Sequence, residues 1–418
     1  MPRPIQHKPN KDHWGFYQVG PYKTYSKLDA IEVSGRTKHD IVWNFNNEVF
    51  SQYDWTVEPP GDLEFWYRQR AEQLREHYDY IILFYSGGYD STNILKTFVK
   101  NNIFIDEIVH MATIEGSNGD KTAMGNYEVY GLSYPLVKNL IETNPVYRNT
   151  KQTVIDISDT EKDLLNTEKW DYFYKTSVIL SPAIYATADL REKNVELLTA
   201  HNRHSKVCQL YGIDKPRVWL DDKGNASMVF TQMSPMAYVH AGKQQQNQSW
   251  AHDEMFYWTP DMPELVCKQA HTILKFLQLS DEQSLIDKNC DWDTLIESRD
   301  LGKQWKPNYC IKQIGNRLYK LDEKTVADLL YQNNLHNLAV KASSLFFGSK
   351  DKWLWDSAAP DVGQKRYLKG LAWLKQTVLQ SRPDMWWDSP GDRSKGILPT
   401  GGFLSLHNTY RLTKGENQ

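Results

Sequence analysis

Short apolar runs that end at glycine, proline or acidic residues alternate along much of this chain with stretches whose apolar positions recur every three or four residues. "LEFWYRQRAEQLREHY", from Leu63, is rich in helix formers and has Asp62 ahead of it as N-cap, so it predicts a helix. It leads into "DYIILFY", an apolar run that stops at glycines and predicts a fully buried strand. From Ser91, "STNILKTFVKN" sets Ile94, Leu95, Phe98 and Val99 on one helical face. "DEIVHMA" (Asp106 to Ala112) predicts a second strand, Glu128 to Glu142 a helix, "TVIDI" a strand and Thr160 to Asn166 a short helix. "VELLTA" (Val195 to Ala200) continues as a strand and Ser205 to Tyr211 as a helix. "PRVWL" (Pro216 to Leu220) reads as a further strand that turns back through "DDKGN" as a hairpin.

Strands alternating with helices predict an α/β fold, with a mostly parallel sheet and helices on both faces. After Asp261 the pattern changes. "PELVCKQAHTILKFLQL" is a strong amphipathic helix, and the remaining third reads mainly as helices and loops. Residues 1–61 carry aromatic patches such as "IVWNFNNEVF", show no sustained period and close on the breaker "EPPG". The expected organisation is an irregular N-terminal extension over 1–61, an α/β domain over 62–260 and a mainly helical C-terminal domain over 261–418.

Composition narrows the class. With 40% hydrophobic and 13% aromatic residues among 418, most of the chain is expected to fold around a large core. A net charge of −3 supplies no global attraction for nucleic acid, which leaves only a local basic groove as a route to it. Cys208, Cys267, Cys290 and Cys310 are isolated and form no C-x-x-C pair, so zinc ribbons and thioredoxin-type redox motifs are not expected. The polar start "MPRPIQHKPNKDHW" lacks an apolar signal core, and no apolar run reaches membrane-spanning length. The expectation is a cytoplasmic protein with reduced thiols.

The chemistry concentrates in "LFYSGGYDST", Leu83 to Thr92, where the first strand turns into the helix that follows it. A strand-to-helix turn with two glycines lets a ligand approach the main chain, and the start of the helix adds positive dipole character. Ser86, Ser91 and Thr92 add hydroxyls around Gly87, Gly88 and Tyr89. Such a nest suits phosphate. Asp90 would repel phosphate by itself, so its presence points to Mg²⁺ bridging it to the phosphates. Neither G-x-x-x-x-G-K-[ST] nor G-x-G-x-x-G is present; "GSNGDKT" from Gly116 has the wrong spacing. An ordinary Gly-Gly turn with an Asp-Ser cap is the bland alternative.

These residues resemble the pyrophosphate loop of the PP-loop ATP pyrophosphatases, S-G-G-x-D-S, at Ser86, Gly87, Gly88, Asp90 and Ser91. The similarity extends over about residues 78–220 as a domain, and the whole chain loosely resembles uncharacterised PP-loop proteins of large tailed phages. The resemblance implies a HUP-like parallel sheet and ATP cleaved between its α- and β-phosphates. It also implies a substrate adenylated before a nucleophile displaces AMP. Because such enzymes neutralise pyrophosphate with distal basic residues, Lys215 and Arg217 in "GIDKPRVW" become candidates. A solvated turn around Pro216 is the alternative for that segment. His201, in "HNRHSK", and His110 with Met111 stand at predicted strand ends, where open α/β sheets bind ligands, and are candidate nucleotide contacts.

Other features are less specific. Asp253, Glu254 and Asp261 lie among aromatics in "WAHDEMFYWTPD", as a base or as core neighbours. "HAGKQQQNQS" reads as a lid or a plain loop, Lys268 as a solvated helix face, and Trp386 with Trp387 as packing or a partner contact. The leading expectation is an AMP-forming enzyme using ATP and Mg²⁺ that makes an amide or C–N bond, as in the synthetase half of asparagine synthetase. A tRNA- or nucleic-acid-modifying enzyme, a sulfur-transfer or PAPS-reductase-like enzyme, and a non-enzymatic nucleotide-binding scaffold remain the alternatives. The acceptor is a small molecule or a macromolecule.

Overall fold

The structure, a computed structural model, describes residues 5, 12, 15–112, 114–115, 128–159, 206–212, 216–220, 225–231, 251–279, 360–389, 400–404 and 406–413. Its centre is a five-stranded parallel sheet. The strands are β4 (Tyr80–Phe84), β5 (Glu107–Ala112), β6 (Lys151–Asp156), β7 (Val207–Tyr211) and β10 (Ala251–Met255), in the spatial order β10-β7-β4-β5-β6. The chain enters at the middle strand, steps outward through β5 to β6, then crosses back to β7 and steps outward again to β10. Connections from β4 and β7 therefore leave in opposite directions, so the strand order reverses between these two neighbours.

Side chains alternate across this sheet as the pleat requires. Ile81, Leu83, Ile108, Cys208 and Leu210 face one side. There they pack with Leu74 of α3 (Leu63–His77), Phe98 of α4 (Tyr89–Lys100), Val137 of α5 (Tyr134–Thr143) and Leu265 of α6 (Pro263–Leu279). Asp62 caps α3 by accepting a 2.7 Å hydrogen bond from Phe65 N. On the other side Ile82, Val109 and Val207 form a separate cluster with Tyr80, Phe84 and Ile155. All described helices that touch the sheet core thus join the first face, and no described helix contributes to the second cluster.

Three expectations are corrected. Ser205 to Tyr211 is not a helix: Val207–Tyr211 is β7, buried along its whole length and paired with β4 and β10. An element buried on both faces carries no periodicity to reveal it, and five residues are too few for a helix. Residues 15–61 are not irregular. They form an antiparallel sheet of β1 (Phe16–Val19), β2 (Tyr22–Thr24) and β3 (Ile41–Asn44), with α1 (Lys27–Thr37) and the short α2 (Asn47–Phe50). Their strands are too short to show alternation, and α1 is marked mainly by its Ser26 cap, which accepts from Asp29 N at 3.2 Å. The strand in "PRVWL" is β8 (Arg217–Leu220). It forms the expected hairpin with β9 (Ala226–Thr231), but in a separate antiparallel sheet closed by β13 (His407–Arg411).

The described part of the C-terminal region holds helix and strand together. Besides α7 (Pro360–Ser381) it supplies β11 (Trp386–Ser389), β12 (Thr400–Phe403) and β13. Through β13 it pairs with β9, and through Leu371, Leu374 and Val378 it packs on Leu28 and Ile31 of α1. Phe230 of β9 lies 4.4 Å from Trp258 and 5.5 Å from Phe45, ring centre to ring centre. The core therefore runs without a break across residues 61 and 260. No helix among the described residues is long and apolar enough to cross a membrane.

Candidate functional site

β4 ends at Phe84, and the chain turns through Ser86, Gly87 and Gly88 into α4. Gly87 has φ 80°, a left-handed conformation that L side chains rarely adopt. Gly88 is the N-cap of α4 and offers no side chain to cap it. The N-cap residue therefore adds no side-chain cap of its own at the dipole's positive end.

Hydroxyls surround the turn. Ser86 Oγ lies 3.2 Å from Ser91 Oγ and accepts from Gly88 N at 3.2 Å. Ser91 Oγ lies 3.2 Å from Gly88 O, and Thr92 Oγ1 lies 3.4 Å from Gly87 O and 3.2 Å from Tyr85 Oη. These contacts sit at the long end of the hydrogen-bond range, so the hydroxyls can turn toward an anion at little cost. Ser86 is exposed, Asp90 half-buried and Ser91 buried. The turn therefore presents a graded surface, from solvent down into the sheet.

Two segments distant in sequence pack against this turn. Gly212 follows β7, and its backbone comes so close to α4 that an added Cβ would lie 2.9 Å from Ser91 N. Glycine is required there by space, and its missing side chain leaves a cradle against the first turn of α4. Tyr257 follows β10. Its hydroxyl donates to Asp90 O at 2.8 Å and accepts from Asn93 Nδ2 at 3.0 Å. Sequence reasoning missed both. Gly212 carries only the signal of a glycine after an apolar run, and nothing local marks Tyr257.

His110 supports the turn from below rather than facing a ligand. It is fully buried, with Nε2 accepting from Gln152 Nε2 at 3.0 Å. That bond assigns the proton to Nδ1, which donates to Ser133 Oγ at 3.1 Å. Its ring centre lies 5.7 Å from that of Tyr85. Burial lowers its pKa from 6.5 to about 4, so it is neutral at neutral pH. With both ring nitrogens engaged inside the fold, His110 here has a supporting role. Met111, next on β5, points to the opposite face of the sheet and is half-buried. At the end of β6, Asp156 accepts from Ile114 N and Glu115 N, each at 3.0 Å, and from Ser158 Oγ at 2.6 Å. Burial raises its pKa, but the hydrogen bonds from Ser158, Glu115 and Ile114 outweigh it and hold the carboxyl below its ordinary value. It thereby clamps the loop that leaves β5.

The other candidates separate. Lys215 and His201 lie outside the described residues, as do the side chains of Tyr89 and Arg217; the backbone of Arg217 opens β8. The "HAGKQQQNQS" and "VELLTA" segments and the Thr160 to Asn166 helix also lie outside them. Glu254 is fully buried, 2.7 Å from Arg70 Nη2, and accepts from Tyr78 Oη. Asp253 is half-buried and accepts from Tyr211 Oη at 3.0 Å. Lys268 is not solvated; it is buried and ion-paired with Glu58 at 2.6 Å. Burial pushes the thiol of Cys208 well up and that of Cys267 to about 12. Among the described residues no group of three or more His, Cys, Asp and Glu side chains stands together to cage a metal. Neither protein-family models nor curated proteins match this chain.

Proposed function

We propose that the turn from Ser86 to Ser91 holds the pyrophosphate part of ATP and that the protein is an AMP-forming enzyme of the PP-loop type. One observation carries this reading: the S-G-G-Y-D-S turn stands at the carboxyl end of the central strand, beside the point where the strand order reverses, with the Gly212 cradle against it. Open α/β sheets bind their ligands at such a point. The single carboxylate Asp90 fits Mg²⁺, which is commonly held by one or two carboxylates together with substrate phosphates rather than by a protein cage. When bound, Mg²⁺ would neutralise charge on the phosphates.

In this reading Ser86, Ser91, Thr92 and the first amides of α4 bind the β- and γ-phosphates. A substrate carboxylate or carbonyl oxygen attacks the α-phosphorus; the new O–P bond forms as the bond from the α-phosphorus to the bridging oxygen breaks, and pyrophosphate departs with the electron pair. Lys215 and Arg217 oppose that growing charge. Ammonia or an amine then attacks the activated carbon, AMP leaves, and the nitrogen gives up a proton. The buried, weakly acidic Cys208 and Cys267 favour a nitrogen over a sulfur nucleophile, because the thiolate is the reactive form.

The test is exchange of labelled pyrophosphate into ATP across a panel of carboxylic acids, with AMP and ADP measured as products. Acid-dependent exchange and AMP are expected, both lost in Gly88→Val and Asp90→Asn with the circular dichroism spectrum retained. ADP as the product, or undiminished exchange in either variant, would remove the proposal.

A further inference from the structure

The peptide unit that joins Asp90 to Ser91 is gripped from two sides by elements remote in sequence. On its carbonyl, the Tyr257 hydroxyl donates at 2.8 Å. Against its nitrogen sits Gly212, where an added Cβ would stand 2.9 Å from Ser91 N and 3.0 Å from the Asp90 carbonyl carbon. A peptide group is planar, so holding its C=O and crowding its N fixes the direction of the whole unit. Tyr257 is itself anchored. It is fully buried, its carbonyl accepts from Gln269 Nε2 at 3.0 Å, and its ring packs 5.1 Å from Phe256 and 5.7 Å from Tyr67. A phenylalanine would fill that ring site equally well. The hydroxyl bonds Asp90 O and Asn93 Nδ2, and both belong to α4.

We propose that Tyr257 and Gly212 are positioning residues that set the first turn of α4 for the β- and γ-phosphates. The inference rests on the reading of Ser86 to Ser91 as a triphosphate site, and it assigns the alignment of that site to β7 and β10 rather than to the turn alone.

Calorimetry of Mg-ATP, Mg-pyrophosphate and AMP on the full chain tests it, with thermal unfolding as a control. Loss of one hydrogen bond predicts that Tyr257→Phe binds Mg-ATP and Mg-pyrophosphate about ten-fold more weakly. AMP affinity is expected to stay unchanged, since the loss is specific to the outer phosphates. Gly212→Ala should weaken the same two ligands at least as much. Asn93→Ala, which removes the donor to Tyr257 Oη, should act in the same direction by about two- to three-fold; it decides the matter if Tyr257→Phe does not fold. Wild-type Mg-ATP affinity in the folded Tyr257→Phe and Gly212→Ala variants, or equal losses for AMP and Mg-ATP, would overturn the inference. If wild type itself shows no preference for Mg-ATP over AMP, or Gly88→Val keeps that preference, the triphosphate reading falls first and takes this one with it.

Discussion

Arg70 and Glu254 meet at 2.7 Å with neither side chain exposed, whereas at the end of β4 Ser86 is exposed and its neighbours' hydroxyls rest on contacts of 3.2 Å or longer. Both regions lie along the same sheet and both are polar. In the first, α3 supplies Arg70 and β10 supplies Glu254, and the bonds from Arg70 Nη1 to Gln73 and from Tyr78 Oη to Glu254 keep the charges inside the fold. In the second, the turn is held mainly through backbone: Tyr257 on the Asp90 carbonyl, and Gly212 against Ser91. A buried charge must be matched by the fold itself, since water cannot serve it. A turn whose main chain is fixed while its side chains are loosely committed can exchange those contacts for a ligand. The difference separates polar groups committed to the core from polar groups only loosely committed to the fold.

The contrast breaks first at Glu254. Glu254→Ala leaves Arg70 buried without its carboxylate and should cost about 3–5 kcal/mol in urea unfolding. A cost below about 1 kcal/mol would mean the pair does not sustain the core. On the other side of the comparison, Arg217→Ala should raise the adenylation barrier by about 2.7–4 kcal/mol and weaken ATP binding by less. Single-turnover AMP formation beside ATP affinity checks this, and its unfolding curve should match wild type. Equal effects on rate and affinity would mark Arg217 as a ground-state contact.

His110 belongs to both halves, since it is buried yet props the turn. Its folded pKa, about 4, lies below the ordinary 6.5, so between these values the unfolded chain binds more protons than the folded one. Stability therefore falls as pH drops through that window, by up to about 3 kcal/mol from this group. His110→Gln should flatten the difference in unfolding free energy between pH 7 and pH 4.5, and an unchanged slope would assign the loss to other groups. The smallest effect is expected at Glu58, whose carboxylate lies 2.6 Å from both Lys268 and Lys275. Burial raises its pKa, but these lysines lower it further and set it below its ordinary value. Glu58→Gln should cost about 1 kcal/mol and remove a contribution that wild type loses as pH falls through the carboxylate range. A salt-independent cost would show that packing, not charge, holds Lys268.

What the sequence determined by itself is local. The helix over Leu63–His77, the strand β4 and the helix α4 are each marked by a period, a cap or a breaker within their own residues, and the turn between them is marked by its glycines. The turn from Ser86 to Ser91 was legible for that reason. What lay beyond reach depended on partners far along the chain. β7 reads as a helix because an element buried on both faces loses its alternation, and only pairing with β4 and β10 makes it a strand. Lys268 looks solvated on its helix until Glu58 meets it. His110 looks like a ligand contact until Ser133 and Gln152 occupy both of its nitrogens. Gly212 and Tyr257 carry no motif, because their roles consist in distances to Ser91 and Asp90. Turns and caps are satisfied within a few residues and so can be read in order; burial, pairing and the close approach of two strand ends exist only once the chain has folded back on itself.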